Sequence, residues 1–425
     1  MSAPAVGTAV GQKLQLAIGE RVLDRGLTLL AVQNPGVPTF ACSVLLDVDL
    51  RDERRGEDGL ANLVGDCLDE GTSRRGNTAL AAAVESLGAA LEGHASGGRV
   101  QCPAENAGKA LALLVEMLTQ PAFGAREVAR VKAEILNEIR ADEEEPRTVA
   151  ALRFRAEVYG AHPYGRPGRG TARTVRAFAP AQLRAFHARG FVAPGGIVAA
   201  AGPEPVARTL DLLEHAFRPL KGRTIDHPPV PAPRPAGARR DVHLPMPREQ
   251  VHVFLGHLGI KRTHPDYYAL SVMDHVLGTG PGFTSRIQRR LRDEQGLCYT
   301  VNASISAGAG EEVGTFSAYI GTSPEHRQRA IDGFLEEIER LRAEPPGEAE
   351  VRDVHDYLTG SFVFGLERNA SLAAFATRVK KFDLGFDYLQ RYPALIRAVT
   401  PAEVHRVACQ HLHPDAMVVV SAGAG

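Results

Sequence analysis

The stretch from Gly59 to Thr72 has a spacing that could support metal chemistry, but it keeps few of the groups that this chemistry needs. Of Asn62, Gly65 and Asp66, only Asp66 has a group able to coordinate a metal, because an amide oxygen is a poor zinc ligand. Gly65 has no side chain that could act as a base. Apolar residues recur at helical spacing through the stretch and are predicted to pack against a core. They are Leu60, Val64, Cys67 and Leu68.

A further carboxylate, Glu138, lies on a predicted helix later in the chain. At about 100° per residue, Glu138 projects about 20° from Val131. We therefore expect it beside the apolar stripe of Val128, Val131 and Ile135 instead of on the outer face. A lone helical glutamate is more often a solvated charge, so Glu138 by itself does not predict a metal site.

The segment from Ser285 to Tyr299 places Arg292 seven residues before Tyr299. A guanidinium and a phenol can together hold a peptide carbonyl and stabilise the oxyanion that develops when hydroxide attacks it. The alternative is that Arg292 is a solvated helix charge and Tyr299 a strand residue half buried in the core.

The frame around these residues resembles the inverzincin zinc peptidases, the pitrilysin and insulinase type that includes the mitochondrial processing peptidase. In that family a helix carries H-x-x-E-H, in which the two His grip zinc and the Glu activates the metal-bound water. The resemblance covers nearly the whole chain. It rests on Arg51-Asp52-Glu53 leading into Gly59-Leu60-Ala61, on Ala133–Arg140, on Tyr159–Gly165 with Gly170, and on Ser285–Tyr299.

The resemblance implies that Asn62, Gly65 and Asp66 stand at the H-x-x-E-H positions and Glu138 at the position of the third ligand. We interpret them as a degenerate zinc motif and predict no metal cofactor in this chain. His162 is interpreted as structural. The resemblance also implies that Arg292 and Tyr299 are the pair that reaches the substrate at the zinc centre.

The run Gly278-Thr-Gly-Pro-Gly-Phe283 resembles the glycine-rich loop of the non-catalytic subunits of processing peptidases. The resemblance implies that Gly280, Gly282 and Phe283 contact an extended peptide, since glycine permits positive φ and close approach. A plain turn between two helices explains the loop almost as well. The Lys-Ser/Thr of a phosphate-binding loop is missing.

Strand-like runs alternate with amphipathic helices, and the fold class predicted is α+β, with two homologous domains that each have a mainly antiparallel sheet covered by helices. The proline-dense stretch at 223–240 is the predicted linker between domains 1–222 and 241–425. Val175–Leu183 matches Ile396–Val404, and each is followed by a strand-like run ending in Ala-Gly. Gly202 follows Pro180 by 22 positions, and Gly423 follows Pro401 by the same 22 positions, which indicates an internal repeat.

Composition excludes several classes of function. The chain has 425 residues, 44% of them hydrophobic, and a formal net charge of −1, so neither nucleic acid nor an anionic membrane is an expected partner. No apolar run is long enough to span a bilayer. The five cysteines are scattered and lack C-x-x-C spacing, so neither a disulfide framework nor a cysteine zinc site is predicted.

The resemblance implies a clamshell in which one half-molecule holds zinc in its first domain and the other half contributes the Arg/Tyr pair from its second domain. The leading hypothesis is a zinc-less subunit of a bacterial heterodimeric peptidase that binds peptides or unfolded polypeptides. Zinc is then expected in a homologous partner with an intact H-x-x-E-H, and the compartment is the cytoplasm or the periplasm. The alternative is a structural scaffold with no proteolytic role. A self-sufficient hydrolase has little support, because no nucleophile elbow, metal triad or carboxylate dyad is visible.

Overall fold

The computed structural model describes residues 16–280 and 285–424. The strands are β1 (Ala17–Val22), β2 (Thr28–Gln33), β3 (Thr39–Leu45), β4 (Ala90–His94), β5 (Gly97–Pro103), β6 (Ile197–Gly202), β7 (Arg240–Pro245), β8 (Val251–Leu258), β9 (Val301–Ser304), β10 (Thr315–Thr322) and β11 (Val418–Gly423). The α-helices of the N-terminal half are α1 (Leu60–Asp66), α2 (Asn77–Glu85), α3 (Ala107–Thr119), α4 (Ala125–Glu144), α5 (Pro146–Tyr159), α6 (Ala172–Ala177), α7 (Pro180–Gly190) and α8 (Val206–Ala216). Those of the C-terminal half are α9 (Tyr267–Asp274), α10 (Arg327–Ala343), α11 (Glu348–Ser361), α12 (Asn369–Lys381), α13 (Tyr388–Arg397) and α14 (Pro401–His411).

The strands form two sheets of the same design. The first sheet has the order β1-β2-β6-β3-β5-β4 and the second has the order β7-β11-β8-β10-β9. Each contains one parallel pair, β2 with β6 and β7 with β11, and the other neighbours are antiparallel. The predicted α+β class with mainly antiparallel sheets is confirmed.

The sequence repeat corresponds to one helix–strand unit in each half. Helices α7 and α14 both begin at a proline, and the residue before each proline donates its backbone N–H to a side chain three positions on, Gln182 or Glu403. The strand that follows, β6 or β11, is buried along its whole length. A proline fits the first helical turn because its missing N–H would have no partner there. The repeat thus places one buried strand inside each sheet.

Amphipathic spacing correctly predicts the helices that cover the sheets. In α10 the stripe Ile331, Phe334, Ile338 and Leu341 is fully buried, and Leu335 packs against the same core. Each sheet also carries a helix from the other half of the chain. Helix α5 packs on β8 and β11, while α12 packs on β6 and β3. The two halves therefore share their cores.

Residues 221–236 form neither helix nor strand and connect the halves. His227 holds this segment in place, with Nδ1 2.7 Å from Asp52 Oδ1 and Nε2 3.2 Å from Asp47 Oδ2. Desolvation opposes protonation of the ring, but the two carboxylates outweigh it and raise the pKa of His227 above its ordinary value. None of the described helices is both long and apolar enough to cross a bilayer.

Candidate functional site

Arg292 and Tyr299 are brought together by a short turn. Arg292 lies in a π-helical segment, Gln288–Glu294, which is followed by Gly296 with φ +61°. The amide of Leu297 then donates to the carbonyl of Leu291 at 2.9 Å, and both leucine side chains are buried. Glycine takes this left-handed conformation without strain, so the chain can reverse here and lead into β9.

The two side chains lie next to each other at the surface. The guanidinium carbon of Arg292 is 5.5 Å from the centroid of the Tyr299 ring, which is cation–π range. Tyr299 is 84% exposed, and the Arg292 side chain is 23% exposed. Tyr299 is therefore not a half-buried core residue. An exposed phenol and a partly exposed guanidinium that lie side by side can both donate to one oxygen of a bound molecule.

Close packing explains two of the glycines in the glycine-rich loop, Gly278 and Gly280. A Cβ on Gly278 would lie 2.5 Å from the amide nitrogen of Ala303 in β9, and one on Gly280 would lie 2.8 Å from the carbonyl oxygen of His275. Both glycines therefore permit close backbone approach. Gly282 and Phe283, which were predicted to bind substrate, lie outside the described residues.

Helix α1 carries the degenerate zinc motif, and Glu53 fixes its first turn. One carboxylate oxygen of Glu53 accepts hydrogen bonds from the amides of Gly59 at 3.1 Å and Ala61 at 2.9 Å. These amides are among the donors that a helix N-terminus leaves without an intrahelical partner. Burial raises the pKa of Glu53 to about 8, although the two amides act in the opposite direction.

Gly65 stands where the family has its general base, and the structure gives it a role of its own. A Cβ at this position would lie 2.5 Å from the amide nitrogen of Ala95 and 2.6 Å from the carbonyl carbon of His94. Helix α1 thus packs directly on the backbone at the end of β4. No side chain can be added at Gly65 unless the helix or the strand moves. The sequence showed only the loss of the base, because this contact depends on tertiary structure.

The other degenerate positions interact with protein groups. The Asn62 amide donates to Asp66 Oδ2 at 2.7 Å, and Arg169 Nε lies 2.9 Å from Glu138 Oε2. The Glu138 side chain is 55% exposed, which corrects the expectation that it avoids the outer face of its helix. Its position beside the apolar stripe does not bury it, because a long side chain can turn outward to reach Arg169.

These residues do not fit a zinc ion. Desolvation, followed by the negative charge of Glu138, raises the pKa of Asp66. Arg169 pairs with both Glu138 and Asp142, at 2.9 and 2.8 Å, on the exposed side of α4. Two imidazoles and a base are missing, and the carboxylate of Glu138 is paired with Arg169.

Two glycines of the family-like motifs, Gly59 and Gly170, have a structural role in this chain. Gly59 and Gly170 both have positive φ, and a Cβ on either one would clash with the backbone of the other's segment. Their contact fixes the segment that carries Arg169 against the start of α1. His162 is buried, accepts a hydrogen bond from the Tyr164 amide at 3.1 Å and stacks on Tyr159, contacts that agree with its interpretation as a structural residue.

A different group of side chains is arranged like metal ligands. In the part of the chain that the structure describes, one set of three His, Cys, Asp or Glu residues places its ligand atoms within 4.8 Å of one another. It consists of His264, Asp266 and His411. Sequence reasoning missed it, because Asp266 and His411 are 145 positions apart and belong to no metal motif.

Comparisons with known proteins agree with this architecture. Residues 28–172 match the profile described as insulinase, peptidase family M16, and residues 177–357 match the profile of the peptidase M16 inactive domain. The chain belongs to the M16 peptidase family. A protein of Mycobacterium bovis named as an uncharacterized zinc protease is 28% identical over 406 residues, covering 93% of this chain and 91% of the relative.

A second relative, from Streptomyces coelicolor, is also named as an uncharacterized zinc protease and is 26% identical over 404 residues, covering 91% of this chain and 85% of the relative. Among solved structures, a peptidase M16 inactive domain from Pseudomonas fluorescens superimposes with a TM-score of 0.89 at 25% identity, covering 96% of this chain and 98% of the other. A protease from Helicobacter pylori has the same fold, with a TM-score of 0.84 at 18% identity and coverage of 96% and 99%.

Proposed function

We propose that this chain is the zinc-less subunit of a two-subunit zinc metallopeptidase. Its partner is a homologue that keeps H-x-x-E-H and holds the zinc, and the substrate is a peptide or an unfolded polypeptide. The observation that carries the proposal is the adjacency of Arg292 and Tyr299 at the surface, 5.5 Å apart, in a chain whose own motif helix offers no zinc site.

The chemistry assigned to this chain is binding and charge stabilisation. When hydroxide generated at the partner's zinc attacks a peptide carbonyl, negative charge develops on the carbonyl oxygen. Arg292 and Tyr299 donate hydrogen bonds to that oxygen, and these bonds strengthen as the charge develops. The proposal therefore gives Arg292 and Tyr299 a larger effect on turnover than on substrate affinity.

The packing around α1 supports the assignment of the zinc site to the partner. Gly65 packs on the backbone of β4, and Glu138 pairs with Arg169, so the first half of this chain does not duplicate the partner's site. The outer strands β4 and β9 leave sheet edges at which an extended peptide can add as a further strand. Tyr299 stands two residues before β9, which brings the second of these edges next to the Arg/Tyr pair.

The test of this assembly is native mass spectrometry of the chain mixed with an H-x-x-E-H homologue encoded in the same genome. We expect a one-to-one complex whose zinc content falls by one ion when the first histidine of the homologue's motif is replaced. Replacing Asn62 with Ala should leave the zinc content unchanged. A chain that forms no complex with the homologue would favour the scaffold alternative.

A further inference from the structure

We propose that His264, Asp266 and His411 form a binding site for a divalent transition-metal ion in the C-terminal half of the chain, separate from the degenerate zinc motif. Each of the three residues offers a ligand atom, and these atoms lie within 4.8 Å of one another. Two imidazoles and a carboxylate are a donor set that suits zinc, cobalt or nickel better than magnesium or calcium, which prefer oxygen ligands.

Two packed elements supply the ligands. His264 and Asp266 lie in the turn before α9, and His411 is the last residue of α14, which packs against α9. The imidazole rings of His264 and His411 meet edge to face, with their centroids 5.1 Å apart. Asp266 and His411 are mostly buried, whereas the His264 side chain is one-third exposed. The site thus has fixed walls and one side through which an ion can enter.

The carboxylate of Asp266 is the common element of the cluster. Its Oδ2 lies 2.7 Å from His411 Nε2 and 4.0 Å from His264 Nδ1. Arg406 donates to Oδ1 at 2.7 Å and to Oδ2 at 3.3 Å. The first of these bonds orients the carboxylate from behind, as outer partners of metal ligands do.

Metal binding requires a small rearrangement. Tetrahedral zinc with bonds of about 2.0–2.1 Å brings neighbouring ligand atoms to roughly 3.3 Å from one another. His264 Nδ1 now accepts a hydrogen bond from the Asp266 amide at 3.1 Å, and this bond is exchanged for the metal bond as the exposed ring moves inward. His411 gives up the Nε2 proton to solvent and binds the metal as a neutral imidazole that carries its proton on Nδ1, and water completes the coordination. The bound ion then links the turn before α9 to the end of α14.

The experiment is titration of the purified full chain, without any partner, with Zn²⁺ by calorimetry and with Co²⁺ by visible absorption. We expect one equivalent to bind and to raise the midpoint of thermal unfolding. His264→Gln and His411→Asn should each weaken binding by about a hundredfold. His264→Gln is the cleaner variant, because it leaves the pairs of Asp266 with Arg406 and with His411 intact.

The matched control is the double variant His405→Gln, Cys409→Ser. These side chains are also on α14, and His405 Nε2 lies 3.7 Å from Cys409 Sγ. They therefore offer a second pair of ligands on the same helix at which a soft metal ion can bind. The double variant should bind Zn²⁺ and Co²⁺ as the unmodified chain does. The proposal is overturned if the unmodified chain binds no stoichiometric metal. It is equally overturned if binding survives His264→Gln and is lost in the double variant.

Discussion

The guanidinium carbon of Arg292 lies 5.5 Å from the centroid of the Tyr299 ring, on the solvent side of the turn that joins a π-helical segment to β9. π-Helical turns are rare and often occur at functional sites. Tyr299 is 84% exposed and the Arg292 side chain 23% exposed, so the proposed contact of both residues with a substrate can be tested by substitution.

Removal of either donor should reduce turnover by the two-subunit enzyme. We expect Arg292→Ala and Tyr299→Phe each to lower kcat about 10²–10³-fold with a smaller change in KM, because the lost bonds are strongest in the transition state. The control is Arg289→Ala, which removes a more exposed arginine from the same part of the chain. If Arg289→Ala lowered kcat as much as Arg292→Ala, a specific role for Arg292 would be ruled out.

A side chain added at Gly296 should lower the stability of the protein through backbone strain alone. A Cβ at Gly296 would contact nothing within 4 Å, but φ is +61°. We expect Gly296→Ala to lower the free energy of unfolding by about 1–2 kcal/mol. The matched change Gly360→Ala, in α11 with no close neighbour, should raise stability by up to about 1 kcal/mol. Urea denaturation measures both values, and equal effects would disprove the strain argument.

Gly65 should not tolerate restoration of the zinc motif. Because a Cβ there would lie 2.5 Å from the Ala95 amide nitrogen, we expect Gly65→Ala to destabilise the protein by about 1–3 kcal/mol, despite the better helix propensity of alanine. Gly168→Ala, in an exposed loop with open space around it, serves as the control. If the triple variant Asn62→His, Gly65→Glu, Asp66→His were stable and bound zinc, α1 would have to be able to move away from β4.

Because α5 and α12 each pack on the sheet of the other half, the two halves should unfold together. Phe154 belongs to α5 of the N-terminal half, yet it is 2% exposed and stacks on Phe254 of the second sheet at a centroid distance of 6.1 Å. We expect Phe154→Ala to cost about 3–5 kcal/mol and to increase hydrogen exchange in β8 and β11. Arg153→Ala, its exposed neighbour, should change stability by less than about 0.5 kcal/mol. Faster exchange confined to the first sheet would contradict this packing.

Stability should fall as pH rises because of Glu53. Its ordinary pKa is 4.5 and burial raises it to about 8, so between these values the folded chain holds a proton that the unfolded chain has lost. The contribution is fully present below pH 4.5 and is lost by about pH 8, at about 1.4 kcal/mol for each unit of pKa difference. Denaturation of Glu53→Gln across this range should show a weaker pH dependence than that of the exposed control Glu105→Gln. Identical profiles would mean that Glu53 is ionised in the folded chain.

Local sequence patterns predicted the features that depend on neighbouring residues. Periodicity identified α10 and its buried stripe, and matched spacing identified the repeat that forms α7 with β6 and α14 with β11. The adjacency of Arg292 and Tyr299 follows from one short turn, so a motif can specify it.

Contacts between segments that are far apart in the chain could not be predicted from local sequence patterns. Amphipathic spacing shows that a helix buries one face but not what covers that face, so the contact of Phe154 with the second sheet was missed. The close approach of Gly65 to β4 and the meeting of His411 with Asp266 likewise join segments far apart in the chain. Glu138 shows the opposite error, since a helical wheel fixes the direction of the Cβ but not where a long side chain ends.

The most direct test of the central claim is the cleavage rate of a fluorogenic peptide library by this chain alone, by an H-x-x-E-H homologue alone, and by an equimolar mixture of the two. We expect zinc-dependent cleavage in the mixture at a rate far above the sum of the separate rates, as a split active site requires. Zinc-dependent cleavage by this chain alone, or a mixture no faster than the homologue by itself, would contradict it.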